Sequence, residues 1–195
     1  GDISFYNKIG ERAVAIARSR LNWSYSQAKR TLEGSWDCSS MVARCYQEAG
    51  FDLKAIMGAQ WCMTTVGWKD FATKNKQFIE EADLQPGDVI WYGRPSGNHM
   101  MMYAGNGQVI HAKGEKYGTV YEPLANTGYR SARQVYFFRP YLNLLDESAD
   151  DSSDDAFLAD SSGYGPDNGI VMQVPGGTVW TGWTVFESGR ERFNL

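Results

Sequence analysis

The sequence predicts an α+β domain in which helices come first and antiparallel strands follow. Three observations carry this. Apolar residues recur at helical spacing in segments up to about residue 74. From about residue 78 the pattern changes to short β-branched and aromatic runs separated by turn residues. From Asp146 to Asp167 the composition collapses to Asp, Ser, Ala and Gly. With 195 residues, 43% of them hydrophobic and 14% aromatic, the chain is long enough for one compact domain and an extension.

Residues 5–21 read as an amphipathic helix with Ile9, Ala13, Val14, Ile16, Ala17 and Leu21 on one side. A polar loop runs from Asn22 to Trp36. The second helix spans Cys38 to Ala49, with Asp37 as N-cap, Val42, Cys45 and Tyr46 as the inward stripe, and Gly50 as the stop. Gln60 to Lys74 is predicted helical, with a break near Gly67. The turn Leu84-Gln85-Pro86-Gly87-Asp88 feeds a strand at Val89-Ile90-Trp91-Tyr92, and Arg94 to Asn98 is a loop. His99 to Tyr103 and Gln108 to His111 form one hairpin around Ala104-Gly105-Asn106-Gly107. Thr119 to Tyr121 and Gln134 to Phe138 add two strands, and Met100, Met101 and Met102 read as core.

These elements divide the chain into a domain over 1–145, an acidic linker over 146–168 and a C-terminal hairpin over 169–195. The linker rests on seven acidic and no basic residues between Asp146 and Asp160. In the hairpin, Ile170 to Val174 and Thr178 to Trp183 flank Pro175-Gly176-Gly177. A lone hairpin is only marginally stable, so this one is expected to dock on the domain, belong to a further module or contact a partner. Trp180 and Trp183 are read as packing residues, with a sugar-stacking surface as the second option.

Net charge is −4, unevenly spread. Residues 1–145 hold 17 basic and 13 acidic side chains, whereas residues 146–195 hold 2 and 10. The mildly basic body fits either an anionic partner or ordinary surface charge. The acidic segment is a candidate to fold back on that body as a regulator. Basic residues interleaved with aromatics are missing, which argues against a nucleic-acid binder. No apolar run reaches eighteen residues, so no membrane span is predicted. The start at Gly1-Asp2 is read as processing or excision from a longer protein. Cys38 and Cys45 fall roughly 10 Å apart on one helix, beyond disulfide reach. Cys45 and Cys62 read as small buried hydrophobes. The Cys and His spacings fit no zinc template, so neither metal nor cofactor is expected.

The chemistry sits in Trp36-Asp37-Cys38-Ser39-Ser40 and in His99 and His111, the two histidines of the chain. A cysteine in the first turn of a helix feels the positive end of the macrodipole, which favours thiolate. With the hairpin turn centred on Gly105, His99 falls directly opposite His111 and their rings meet. This predicts Cys38 as nucleophile, His99 as general base and then acid, and His111 as the residue that orients it. Amides at the helix start are candidates for the oxyanion site. The competing reading is an inert thiol beside two structural histidines. Role, order and local structure agree on the catalytic one.

Asp37-Cys38-Ser39-Ser40, the Pro86-Gly87-Asp88 turn before its strand, His99-Met100-Met101-Met102-Tyr103-Ala104-Gly105-Asn106-Gly107 and Val109-Ile110-His111-Ala112 resemble the NlpC-type cell-wall cysteine peptidases. These are papain-like enzymes of bacteria and their phages, and the resemblance covers about residues 8–140. It implies a papain-like fold, action at the bacterial cell wall, peptidoglycan as partner and cleavage of a stem-peptide amide by a Cys-His-His mechanism without cofactor. The bond implied first is D-γ-glutamyl–diamino acid; N-acetylmuramoyl-L-alanine is the alternative. A same-fold amidase or acyltransferase on a non-wall amide and a non-catalytic wall-binding module are the other readings. By the same resemblance Tyr25 binds the oxyanion or holds the cysteine loop, and Asp37 and Ser39 bind the stem peptide. Ser40 stands where the family has Gly, three methionines follow His99, and the loop before Cys38 lacks Trp-Gly-Gly. These departures are similar to phage-type wall lysins.

Overall fold

Ile9, Ala13, Val14 and Ala17 fall three and four residues apart and bury one face of α1 (Ile3–Arg18). The computed structural model describes residues 3–149 and the strand residues 173–174 and 178–179. The α1 helix stops short of Leu21, which is 40% exposed, so the expected apolar side ends at Ala17. Two short strands, β1 (Ser24–Tyr25) and β2 (Ser35–Trp36), pair in parallel and close the loop between them. Next comes α2 (Cys38–Ala49), bounded by Asp37 and Gly50 as its sequence predicts. Gly50 has φ 110, the left-handed cap that glycine adopts without strain.

The helix expected over 60–74 is different. A short helix α3 (Leu53–Met57) starts behind the Asp52 cap, and α4 (Thr65–Lys74) begins only after Thr64, whose hydroxyl accepts from Gly67 N–H. The break therefore lies at 61–64. Gly67 belongs to the first turn of α4, where a Cβ would come within 3.1 Å of Met63 Cβ.

Five strands form one antiparallel sheet: β3 (Val89–Arg94), β4 (Gly97–Gly105), β5 (Gln108–Gly114), β6 (Gly118–Pro123) and β7 (Val135–Phe138). Their order is β6-β5-β4-β3-β7. Both faces are buried. Val89, Trp91, Met100, Met102, Ile110 and Ala112 join the core shared with α1, α2 and α4. The alternate residues Ile90, Tyr92, Met101 and Val109 pack with Val135, Phe137 and Tyr129. This alternation explains continuous apolar runs in an antiparallel sheet, including the three buried methionines.

Helix and sheet meet at two glycines. A Cβ on Gly87 would lie 2.3 Å from Gly10 Cα, and one on Gly10 would lie 2.4 Å from the Pro86 carbonyl oxygen. The turn is fixed by Asp88, which accepts from Arg139 Nε at 2.8 Å and from Gln85 N–H at 2.7 Å. Tyr46 of α2 donates to the Gly87 carbonyl at 2.6 Å. After β7, α5 (Leu142–Ala149) runs across the expected domain end at 145. Gln173–Val174 and Thr178–Val179 pair antiparallel as the C-terminal hairpin requires. The linker beyond 149, Trp180 and Trp183 lie outside the described residues.

Candidate active site

Asp37 starts α2. Its Oδ1 accepts from Ser40 N–H at 2.8 Å, and Ser40 Oγ accepts from Asp37 N–H at 2.9 Å. This is a reciprocal capping box, so Ser40, the departure from the resembling family's glycine, closes the helix start. Cys38 is thereby the first helical residue, with its side chain beside amides that no earlier turn satisfies. The cysteine is 6% exposed. Cys38, Cys45 and Cys62 are all free thiols.

Upstream, Tyr25 pairs with Trp36 across β1 and β2 and stands half-buried near the thiol. Its hydroxyl is pushed up by burial and by the neighbouring Cys38 and Asp37 charges. Trp36 donates from Nε1 to Thr119 Oγ1 at 2.7 Å, and Thr119 donates to the Trp23 carbonyl at 2.9 Å. The Trp23 and Trp36 rings pack at 4.5 Å. These contacts tie the cysteine loop to β6.

Arg30, which sequence reasoning left in the loop, organises the other side. Its Nε donates to Asp37 Oδ2 at 2.8 Å, and Nη2 donates to Ser39 Oγ at 2.9 Å and to the Met63 carbonyl at 3.0 Å. Nη1 reaches the Cys62 carbonyl at 2.9 Å and its sulfur at 3.6 Å. Asp37 and Ser39 are therefore both held by Arg30 at the helix start. Burial alone would raise the Asp37 carboxyl, but the bonds from Arg30 and Ser40 outweigh it and hold the group below the usual carboxylate range.

The two histidines meet, but by a different register from the one expected. Met102 pairs with Ile110 and Tyr103 with Val109, followed by a bulge before Gly105 pairs with Gln108. Carried along the strands, this register sets position 111 opposite 101, so His99 and His111 are diagonal neighbours. The turn is Asn106-Gly107, both at positive φ, and the bulge consumes the extra residue. The shift is by two residues, so both side chains keep one face. His99 Nε2 lies 2.8 Å from His111 Nδ1. His111 Nε2 lies 2.8 Å from Glu122 Oε2 on β6. Tyr92, opposite His99, packs its ring edge-on at 5.6 Å.

The histidines are 1% and 2% exposed. Burial holds His99 well below the ordinary imidazole range, reinforced by His111, Arg94 and Lys113. It also lowers His111, against the pull of Glu122. Burial pushes the Cys38 thiol up to about 11, while hydrogen bonds from the Met100 and Ser39 backbones pull the other way. Burial thus works against charge on all three groups. The helix start and its backbone hydrogen bonds favour the thiolate, and burial opposes them. Such a set can take a proton from sulfur when a substrate is attacked and pass charge along two rings.

Arg30 and Glu122 escaped the sequence reading. Arg30 carried no local signal, since its partners lie up to 33 residues away. Glu122 did carry one: a carboxylate at even spacing from Val120, which pairs with His111. Among the described residues no three His, Cys, Asp or Glu side chains gather as a metal-binding set, and no helix is long and apolar enough to cross a membrane.

A family model described as the NlpC/P60 family matches residues 21–139. The peptidoglycan endopeptidase RipB of Mycobacterium tuberculosis is 24% identical over 130 residues, which are 60% of this chain and 49% of RipB. A gamma-DL-glutamyl hydrolase of Bacillus subtilis is 35% identical over 88 residues, 45% of this chain and 18% of that protein. The chain therefore spans less than half the length of either relative. Among solved structures, the P60 domain of a Mycobacterium avium subspecies paratuberculosis antigen superposes with a TM-score of 0.51 at 18% identity, covering 70% of this chain and 97% of that one.

Proposed function

The chain belongs to the NlpC/P60 family, and from that premise we propose that it is a peptidoglycan endopeptidase acting at the bacterial cell wall, with Cys38 as nucleophile, His99 as general base and acid, and His111 as the orienting imidazole. The observation that carries this is the line of two buried imidazoles on β4 and β5, joined at 2.8 Å, together with a cysteine on a capped helix start whose sulfur is hydrogen-bonded by the backbone of Met100, the residue after His99. The thiol gives its proton to His99 as sulfur attacks the amide carbonyl. The new S–C bond makes a tetrahedral oxyanion, which amides at the helix start and the Tyr25 hydroxyl receive. His99 returns the proton to the departing amine as the C–N bond breaks, leaving a thioester. Water, deprotonated by His99, then releases the acid and restores the thiol.

The bond we assign is D-γ-glutamyl–diamino acid, as the sequence resemblance implies and in line with the relative named for γ-glutamyl hydrolysis. Asp37 and Ser39 serve the stem peptide while Arg30 holds them in place.

The test is digestion of lysine- and diaminopimelate-type peptidoglycans with wild type and Cys38→Ser, fragments read by mass. Fragments from wild type alone, ending at D-glutamate, support the reading. Fragments with a freed L-alanine amine would move the bond to N-acetylmuramoyl-L-alanine. No fragments from either wall would overturn wall hydrolysis, and equal fragments from both proteins would remove Cys38 as nucleophile. Loss of turbidity of intact cells would extend the reading to a lysin.

A further inference from the structure

We propose that Glu122 is a positioning residue that sets the tautomer of both histidines and so leaves Nδ1 of His99 as the bare, proton-accepting nitrogen of the site. The inference rests on the reading of Cys38, His99 and His111 given above and adds a fourth member to it.

The argument is one of donors and acceptors. An ionised carboxylate has no proton to give. Glu122 Oε2 lies 2.8 Å from His111 Nε2, so that nitrogen carries hydrogen. A neutral imidazole carries only one N–H, so His111 Nδ1 is a lone pair. That lone pair lies 2.8 Å from His99 Nε2, which must therefore be the donor. The remaining nitrogen of His99, Nδ1, is bare. Each step follows from the one before, and the chain starts at Glu122. With the opposite tautomer of His111, His99 would carry its hydrogen on Nδ1 and could not accept the thiol proton.

The fold supports the carboxylate in this role. Glu122 stands on β6 diagonal to His111, as His111 stands diagonal to His99, so one face of three adjacent strands carries the line. Its side chain is 14% exposed. Lys113 Nζ donates to Oε1 at 3.3 Å and lies equally close to Oε2, the oxygen that His111 meets. Burial alone would raise the Glu122 carboxyl, but the bonds from His111 and Lys113 keep it below the usual range and ionised. The charged and titratable groups around the pair are Arg94, Lys113, Glu122 and Tyr92, whose ring packs on His99, with Cys38 beyond Tyr92. Glu122 is the anion among them that bonds an imidazole. When His99 becomes imidazolium, its charge faces the His111 lone pair and, one ring further, this carboxylate.

The chain contains two histidines, so an imidazole nitrogen spectrum of these 195 residues, 15N-labelled, holds only their signals. On the alkaline side of the titration followed in the same spectrum, where the rings are neutral, we expect both to show protonated Nε2 and bare Nδ1. In Glu122→Ala, His111 should lose this pattern and report a mixture. Activity on peptidoglycan should fall about 10²-fold or more in kcat with little change in KM, since a misprotonated base is lost rather than a substrate contact. The acid limb of kcat should move to lower pH, because the anion that favours imidazolium is gone. Glu122→Gln, whose amide oxygen still accepts, should recover part of kcat but not the position of the limb. A wild-type spectrum with either histidine protonated at Nδ1, or an unchanged spectrum in Glu122→Ala, would overturn the proposal. If Glu122→Ala fails to fold, the wild-type spectrum and the Gln variant decide. The spectra need no substrate, so they stand even if wall digestion fails.

Discussion

Arg30 spreads one guanidinium over Asp37, Ser39 and the backbone of residues 62 and 63, joining the loop before the cysteine, the helix start and the approach to α4. Replacing it with Met removes one partner of a largely buried ion pair. We expect a loss of about 3 kcal/mol in urea unfolding, the low end for such a break because the Arg30 side chain is 22% exposed. Arg30→Lys should restore little of this, since a single ammonium cannot serve three directions. The histidines give a second residue-scale prediction. Both are lowered in the fold by burial, so the unfolded chain binds protons first as pH falls. Stability from this source is fully present above about pH 6.5 and declines as pH drops below it. Melting temperatures at pH 7.5 and 5.5 should therefore differ in wild type and converge in a His99→Asn/His111→Asn double variant. An undiminished difference in the double variant would assign the loss to other groups. Arg30 could not be read locally, because its partners come from other elements, and Glu122 showed only as a carboxylate at even spacing along its strand, whereas the order Cys, His, His was visible in the residues themselves.

At the scale of elements, α2 was legible to the residue because its cap, stripe and stop are all local. The β4–β5 hairpin was legible in place but not in register. The bulge ahead of Gly105 moves the pairing by two, and nothing in Ala104-Gly105-Asn106-Gly107 distinguishes the two arrangements. The even shift spared the site, since an odd one would send one ring to the opposite face. The sequence puts the helix break near Gly67, whereas the Thr64 hydroxyl caps α4 and makes Gly67 part of its first turn. Packing between elements makes its own prediction. Gly10 of α1 touches Pro86 and Gly87, so Gly10→Ala should cost about 1–3 kcal/mol by overpacking. Gly114→Ala, with nothing within 4 Å, should be close to neutral in the same denaturation. Equal effects would mean the α1 contact is looser than these distances state.

For the whole molecule, helices on one side and a doubly buried sheet account for the α+β reading. The sequence boundary at 145 falls inside α5, where Leu144 and Leu145 pack on the core. A truncation that tests the acidic segment must therefore end at Ala149. If that segment folds back on the basic body, removing residues 150–195 should raise wall digestion at low salt and have less effect at high salt. Unchanged digestion at both would remove the regulatory role.

Arg44 holds the loop between β1 and β2 by its carbonyls: Nη1 donates to those of Arg30 and Ser35, and Nη2 to that of Leu32. Any residue but a misfit at the backbone supplies the same carbonyl. Gln27, Ala28, Thr31, Leu32 and Glu33 are exposed in this loop, which Arg30 ties to Asp37 at the start of the cysteine helix. The loop is thus a frame whose shape is independent of its lettering, much as a hypervariable loop is carried by an invariant scaffold. Randomising those five positions while keeping Arg30 and Arg44 is a route to altered selectivity that leaves the fold intact.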